Sequence, residues 1–180
     1  MFEITNNKVM LRGKLKDDFA FYEERDGKKF YKGTVAVKSL QRRYEDQIDV
    51  LINEEQLLER ENAYKKIEIK GEIELNKDKC NVLAQKLHYL KEEYEPDLNF
   101  IFLEAYVIRK PWKKGQNVIL AISLKSQQNS PYIKCVCSGN IAKRVSGIQV
   151  CKKVKLDGKI VSKRRKEGYI NEVLVCQIEQ

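Results

Sequence analysis

The sequence predicts an all-β protein made of two barrels of one kind, joined in tandem. Two observations lead to this prediction. Hydrophobic and polar residues alternate along ten short segments, and the two halves of the chain repeat the same blocks at near-equal spacing. Alternation with a period of two is typical of strands that bury one face. A chain of 180 residues, 42% of them hydrophobic, has room for two small domains.

The alternating segments mark five strands in each half. In the first half they lie at 8–15, 34–40, 47–52, 66–75 and 80–87. In the second half they lie at 100–108, 118–124, 132–137, 153–161 and 169–178. Two further segments, 53–64 and 139–147, are predicted to be short helices, each between the third and fourth strand of its half.

Three blocks carry the internal repeat. The block from Asn7 to Leu15 (NKVMLRGKL) matches the block from Asn99 to Val107 (NFIFLEAYV). Further matches pair Ala36 with Ala121, Ile48 with Ile133, and the block 67–73 with the block 154–160. Three blocks at near-equal spacing indicate a duplicated domain. We therefore predict one domain over residues 1–93 and a second over residues 97–180, joined by a charged linker that contains a proline.

Five strands with a helix between the third and the fourth describe a small Greek-key barrel, the OB-fold. Gly71 and Gly158 fall in the middle of a predicted strand, where a barrel strand must bend sharply to close. The sequence therefore predicts tandem five-stranded OB-fold barrels. A pair of β-sandwiches is the alternative, and it would lack the helix at that place.

The positive charge of the chain belongs to its second half. Residues 1–93 hold 19 Lys+Arg and 19 Asp+Glu, whereas residues 94–180 hold 16 and 7, which accounts for the whole formal net charge of +9. Charge segregated in this way indicates a polyanionic partner for one surface. High charge that serves only solubility is the alternative interpretation.

The sequence lacks the residues that several classes of catalytic site require. His88 is the only histidine and lies among apolar neighbours, so histidine-dependent triads and zinc hydrolases are not expected. The sequence contains no Gly-rich phosphate loop, HExxH or GxSxG motif, and the acids of the second half are scattered. We therefore expect no enzymatic activity, no metal and no cofactor.

The cysteines and the apolar segments indicate the cellular compartment. The chain has five cysteines, an odd number: Cys80, Cys135, Cys137, Cys151 and Cys176. Three of them, Cys135, Cys137 and Cys176, lie in apolar runs, and buried, reduced thiols are expected. No apolar run approaches the length of a transmembrane helix, and residues 1–15 do not resemble a signal peptide. We expect a cytoplasmic protein without a membrane partner.

Five segments of the second half are specific through their order and spacing and not one by one: NFIFLEAYVIRKP (99–111), VILAISL (118–124), YIKCVCSGNIAKRV (132–145), 152–164 and YINEVLVCQI (169–178). In this order and spacing they resemble the bacterial single-stranded DNA-binding protein family. The first half resembles the same family less closely, through NKVMLRGKL, FYKGTVAVKSL, DQIDVLI and KKIEIKGEIE. The resemblance implies OB barrels that bind single strands without chemistry, four barrels to a particle. A chain of two barrels would reach four as a homodimer.

The sequence departs from this family in two respects. Family members usually end in a flexible tail with an acidic tip that recruits other enzymes, whereas this sequence ends at Gln180 directly after its last strand. Recruitment through a tail is therefore not expected, which makes the chain similar to the tail-less primosomal replication proteins. Family members have an aromatic residue at the start of the third strand. The second half has Tyr132 there, whereas the first half has Gln47. At the end of the third strand, where the family often has another aromatic, the second half has Ser138.

Candidate binding residues combine cations with rings, because single strands present phosphates and unpaired bases. The loop after the first strand of the second half holds Arg109, Lys110, Trp112, Lys113 and Lys114, and the loop between its last two strands holds Lys163, Arg164, Arg165 and Lys166. In OB-folds these two loops flank the nucleic-acid groove. We predict one cationic trough formed by both loops, with Tyr132 stacking on a base and Lys125 and Lys134 as further phosphate contacts. The alternative for Trp112 is packing over the end of the barrel.

The first half is expected to contribute less to binding and more to dimerisation. It offers five aromatics and four cations around a hairpin that turns at Asp26-Gly27: Phe19, Phe21, Tyr22, Phe30, Tyr31, Arg25, Lys28, Lys29 and Lys32. A secondary contact is predicted at Arg42, Arg43 and Tyr44.

The predicted function is sequence-independent binding and protection of single-stranded DNA in replication, recombination or repair, with replication proteins as further partners. RNA remains open as a ligand, because stacking and charge do not read the 2′-hydroxyl. The alternative is a protein-interaction scaffold, a tail-less primosomal or mobile-element accessory protein, which would bind nucleic acid weakly.

Overall fold

The structure is a computed structural model that describes residues 7–39, 43–58, 65–76, 79–91, 95–127, 129–166 and 168–180. In the first half it contains β1 (Asn7–Leu15), β2 (Ala20–Arg25), β3 (Lys28–Val37), β4 (Asp46–Asn53), α1 (Glu54–Leu58), β5 (Lys66–Asn76) and β6 (Lys79–Leu90). In the second half it contains β7 (Leu98–Val107), β8 (Trp112–Lys114), β9 (Asn117–Ser123), β10 (Ile133–Cys137), α2 (Gly139–Val145), β11 (Lys153–Arg165) and β12 (Gly168–Glu179).

Each half closes into a five-stranded barrel. In the first half the strands pair in the cyclic order β1, β3, β4, β6, β5 and back to β1, with β4 and β6 parallel. The second half repeats this order with β7, β9, β10, β12 and β11, and β10 and β12 are parallel. This is the strand order of the OB-fold, and a helix follows the third barrel strand in both halves. The predicted tandem OB-fold is therefore confirmed, and the β-sandwich alternative is wrong.

Two short strands lie outside the ten predicted barrel strands; β2 is the first arm of the predicted hairpin at Asp26-Gly27, whereas β8 was not predicted. β2 forms a hairpin with β3, and β8 forms a hairpin with β9, so each extends the second barrel strand beyond the barrel. The predicted turn at Asp26-Gly27 joins β2 to β3, and both residues have a left-handed φ, of 50° and 74°. This conformation matches the twist of a two-residue hairpin. Neither β2 nor β8 has the regular alternation by which the other strands were recognised.

Gly71 and Gly158 bend their strands as expected. The pairing register shifts at Lys70/Gly71 on β5 and at Asp157/Gly158 on β11. A Cβ atom would lie 2.2 Å from the Leu83 carbonyl oxygen at Gly71, and 2.4 Å from the Leu174 carbonyl oxygen at Gly158. Only glycine permits this approach of the neighbouring backbone.

Antiparallel pairing of β1 with β7 joins the two barrels, with Val9 opposite Ile101. These two residues are equivalent in the sequence repeat, so the halves are related by a pseudo-twofold axis through this pair. The repeat is also visible in the side chains. Asn7 exchanges two hydrogen bonds with the backbone of Ile73, and Asn99 exchanges two with the backbone of Ile160.

One part of the predicted repeat is wrong. Leu15 of β1 lies opposite Val35, and its equivalent Val107 of β7 lies opposite Ile122. The residue that follows Val35 is Ala36, so Ala36 corresponds to Ser123 and not to Ala121. Ala121 and Ser123 are two residues apart and share a strand face, so alternation alone could not separate the two alignments.

The cysteines divide into buried and exposed thiols, and none forms a disulfide. Cys80, Cys135 and Cys137 are buried, and burial raises the pKa of Cys80 and Cys137 to about 12 and the pKa of Cys135 well above its usual value. Cys176 is exposed, so the expectation of a buried thiol is wrong there. Cys176 follows the core residue Val175 on β12, and its side chain therefore points to the opposite face.

Helix α2 matches its predicted position, whereas α1 covers only the start of the predicted 53–64, and residues 59–64 lie outside the described residues. Neither helix in the described part of the chain is long and apolar enough to cross a membrane. Residues 92–94 of the linker are also outside the described residues, and the domain limits 1–93 and 97–180 remain a prediction.

Candidate nucleic-acid interface

One outer sheet face of the second barrel gathers several predicted binding residues. Core-facing residues of β9 include Leu120 and Ile122, so Ile119 and Ala121 point to the opposite, outer face. Across the strands, Ile119 lies opposite Trp112 of β8, and Ala121 lies opposite Lys134 of β10. Residues paired across neighbouring strands share a face. Trp112 and Lys134 therefore lie on one surface, which we call the outer β8–β10 face.

Tyr132 and Arg109 form a stacked pair beside this face. Tyr132 directly precedes β10, two residues before Lys134. The guanidinium carbon of Arg109 lies 4.5 Å from the centre of the Tyr132 ring, within the range of a cation–π interaction. A stacked guanidinium presents several N–H donors in a fixed plane, an arrangement suited to phosphate.

Trp112 and Tyr132 are each partly exposed, so neither ring is interred in the barrel. The remaining predicted cations of this region are also at the surface. Lys110 lies in the loop before β8, and Lys125 lies in the loop after β9. Lys114 lies opposite Asn117 on the side of Trp112, whereas Lys113 lies opposite Val118 on the other side of the hairpin.

Cations of the two halves differ in their ion pairing. Among the described residues, seven first-half cations form ion pairs with carboxylates: Arg12, Lys16, Arg25, Lys29, Lys32, Lys66 and Lys70. The hydrogen bonds that Arg12, Arg25 and Lys29 donate to these carboxylates raise the pKa of each of the three cations. Among the described residues of the second half, Lys153 forms an ion pair with Glu104. The cations at 110, 113, 114 and 134 form no ion pair with a described residue, so their charge is available to a ligand.

The pairing register also identifies the first-half counterpart of Trp112. Val35 corresponds to Ile122, and three residues earlier on each strand Lys32 therefore corresponds to Ile119. Ala20 lies opposite Lys32, as Trp112 lies opposite Ile119. The first half thus has an alanine in the place of the tryptophan.

The first barrel also lacks a ring and a cation at the positions that correspond to Tyr132 and Lys134. Ile48 pairs with Val35 as Ile133 pairs with Ile122, so the matched pair Ile48 and Ile133 is confirmed. Gln47 therefore takes the place of Tyr132, and Asp49 takes the place of Lys134. Asp49 Oδ2 lies 2.6 Å from Lys32 Nζ. The equivalent face of the first barrel lacks both rings and carries a neutralised acid where the second barrel has a cation.

The second predicted cationic loop lies against the first half of the chain. Ser162, which precedes Lys163, donates its backbone N–H to Asp46 Oδ1 at 2.8 Å and accepts the backbone N–H of Gln47 at 2.9 Å. Among the described residues, no hydrogen bond or ion pair joins 163–166 to 109–114. All four side chains of the cationic run at 163–166 are exposed. Their grouping with Trp112 in one trough remains a prediction.

One ring in this hairpin was missed by the sequence analysis. Tyr169 is 55% exposed and lies opposite Arg164. It was assigned only to the predicted strand 169–178. Its position directly after Gly168, in a turn preceded by four successive cations, was the signal that it lies at a hairpin tip.

First-half aromatics are divided between core and surface. Phe19 is buried, whereas Phe21 is exposed and makes an edge contact with Tyr31 at a centroid distance of 6.0 Å. Cations cover two other rings of this hairpin, Arg25 over Phe30 and Lys32 over Tyr22. Arg43 and Tyr44 are exposed, and Arg42 lies outside the described residues.

The described residues contain no group of three or more His, Cys, Asp or Glu side chains that could hold a metal ion. His88 is an exposed residue of β6, as expected for a surface strand histidine.

Comparison with known proteins identifies the architecture. No protein-family model matches the sequence, and no curated protein matches it. Among solved structures, a deletion variant of the single-stranded DNA-binding protein from Thermus aquaticus superposes with a TM-score of 0.76 at 16% identity, covering 97% of this chain and 93% of that chain. The wild-type protein from the same organism gives a TM-score of 0.73 at 15% identity, covering 97% and 92%. This chain therefore has the tandem OB-fold architecture of a bacterial single-stranded DNA-binding protein.

Proposed function

We propose that this chain binds single-stranded DNA without reading its sequence, through the outer β8–β10 face. Bases stack on Trp112 and Tyr132, and Lys134 contacts phosphate. The observation that carries the proposal is the contrast between the barrels, since Ala20, Gln47 and Asp49 occupy the corresponding positions of the first half. Rings beside unpaired cations are the combination that holds unpaired nucleotides. No step of this function needs catalysis.

Fluorescence of Trp112, the single tryptophan of the chain, tests the proposal. Oligothymidylate should quench this fluorescence at low salt, and a duplex of equal length should compete poorly. Tyr132→Leu should weaken binding by about 1–3 kcal/mol, the cost of one lost stacking contact. Gln47→Leu is the matched control at the equivalent position and should leave affinity unchanged. Equal competition by duplex, or equal loss in both variants, contradicts the proposal.

We further propose that the protein acts in replication, recombination or repair, and that it does so in the cytoplasm. Binding that ignores sequence suits protection of any exposed strand. The scaffold alternative predicts weak affinity for DNA together with a stable complex with a replication protein. Competition between oligothymidylate and oligouridylate separates DNA from RNA as the ligand.

We also propose that two chains associate to give a particle of four barrels. The outer face of the paired strands β1 and β7 supports this, because Met10 lies opposite Phe100, and Phe100 is 39% exposed. Light scattering should give twice the chain mass of 21.1 kDa. Phe100→Lys should give the single-chain mass, and a wild-type monomer contradicts this assembly.

A further inference from the structure

We propose a second binding patch for single-stranded DNA that bridges the two barrels. It comprises Arg43 and Tyr44 from the first half and Arg164 and Tyr169 from the β11–β12 hairpin of the second half. This inference rests on the proposed function and extends it to a separate surface. We call these four residues the bridging patch.

The hairpin turns one of its two faces toward the first barrel. Ser162 lies opposite Asn171, and both contact the first half: Ser162 through Asp46 and Gln47, and Asn171 through its Nδ2, which donates to the Cys80 carbonyl oxygen at 3.3 Å. Two residues nearer the tip, Arg164 lies opposite Tyr169. Side chains two residues apart share a strand face. Arg164 and Tyr169 therefore lie on the face that contacts the first half.

The first-half part of the patch lies close to this contact. Asp46 is 1% exposed and accepts the Ser162 N–H, which fixes the start of β4 against the hairpin. Tyr44, two residues before Asp46, is 58% exposed, and Arg43 is exposed next to it. Two residues of chain on either side of the hydrogen bond place the Cα atoms of Tyr44 and Arg164 within about 20 Å of each other.

The charge of this region favours a polyanion. Arg43 and Arg164 form no ion pair with a described residue. Nearby acids are already engaged, since Glu45 pairs with Lys16 at 3.1 Å and Asp46 accepts the Ser162 N–H. Two exposed rings and two available guanidinium groups thus lie on the two sides of the contact between the barrels. This composition matches that of the outer β8–β10 face, and it binds unpaired nucleotides for the same reason.

The patch gives Arg164 a role in a hairpin that contacts the other barrel. The first barrel has no ring at the positions of Trp112 and Tyr132, where Ala20 and Gln47 lie, and it has Asp49 at the position of Lys134. Through the hairpin, the second barrel supplies a ring and a cation beside β4. A bound strand longer than one barrel can cover therefore finds a second site on the first half.

Variants on the two hairpin faces test the bridging patch. Arg164→Gln removes a charge from the face that carries the patch, whereas Lys163→Gln removes one from the opposite face, where Lys163 lies opposite Ile170. Tyr169→Leu and Tyr44→Leu remove rings, and Tyr169→Phe keeps the ring. The probes are oligothymidylates of about 8 and about 30 nucleotides, within and above the span of one OB-fold. Quenching of Trp112 by the short probe reports the outer β8–β10 face alone.

With the long probe, we expect Tyr169→Leu and Tyr44→Leu to lower affinity at least about fivefold. Arg164→Gln should lower it about fivefold at 0.1 M salt, Lys163→Gln clearly less, and Tyr169→Phe less than about twofold. Quenching by the short probe should stay at its wild-type midpoint in the three variants at Tyr44 and Tyr169.

The two proposals fail in different ways. If neither probe quenches Trp112 or binds in a gel-shift assay, the proposed function is wrong and the bridging patch with it. If the short probe quenches normally but the ring variants bind the long probe like wild type, the bridging patch alone is overturned. Equal losses in Arg164→Gln and Lys163→Gln overturn it as well, because general charge would then explain both.

Discussion

Replacement of Lys134 by glutamine is the sharpest test of the outer β8–β10 face. Lys134 forms no ion pair with a described residue, whereas Asp49 at the equivalent position is neutralised by Lys32 at 2.6 Å. Its charge is therefore free to displace one counterion from a bound strand. Each phosphate contact on a single strand contributes about 0.7 to the slope of log affinity against log salt. Lys134→Gln should lower the magnitude of this slope by about 0.7.

The same relation gives the loss of affinity at each salt concentration. Removal of one contact should weaken binding about fivefold at 0.1 M monovalent salt and about 15-fold at 0.02 M. Titration of Trp112 fluorescence with oligothymidylate at four salt concentrations measures both quantities. Lys155→Gln is the matched control, because Lys155 is an exposed residue of β11 on another surface. A Lys134→Gln slope equal to that of wild type would show that Lys134 contacts no phosphate, and the assignment of this face would then be refuted.

Three further predictions concern stability and thiol chemistry. Asn99→Ala removes two hydrogen bonds to the Ile160 backbone, and Asn7→Ala removes the equivalent two to Ile73, so each should cost about 2–3 kcal/mol in urea unfolding; a loss below about 0.5 kcal/mol would contradict the pairing. Gly158→Ala should lower the free energy of unfolding more than Gly115→Ala does, because the new Cβ would meet the Leu174 carbonyl oxygen at 2.4 Å. At Gly115, where φ is +62°, alanine adds only about 1–2 kcal/mol of backbone strain. At pH 8 a thiol reagent should modify Cys151 and Cys176 quickly, and Cys80, Cys135 and Cys137 only on unfolding, because burial raises their pKa values and leaves almost no thiolate; rapid modification of all five would contradict this burial.

Alternation and repetition were enough to predict the barrels. Ten of the strands bury one face against a core, so their residues alternate, and the two mid-strand glycines showed where the barrels close. The hairpin strands β2 and β8 extend beyond the barrels, where alternation has no core to reflect. Cys176 was misplaced for a related reason, since a thiol in an apolar run gives no sign of which strand face it occupies.

The site was predictable where it is local in sequence. Trp112 with its flanking cations, and Tyr132 and Lys134 around the start of β10, belong to neighbouring strands of one barrel. The hairpin at 163–166 is different, because its surroundings depend on how the halves dock. That docking follows from the pairing of Val9 with Ile101, and no feature of either strand alone specifies its partner. Tyr169 became relevant only once the hairpin was seen to contact β4.

Pairing of β1 with β7 has an evolutionary consequence. Two separate copies of one barrel, meeting about a true dyad, must change together, since each substitution appears on both sides of the axis. Covalent fusion removes that restriction and lets the two surfaces diverge independently. Here one barrel carries compensating acids while its neighbour carries unopposed basic residues, a division of labour that a symmetric pair of identical chains cannot encode.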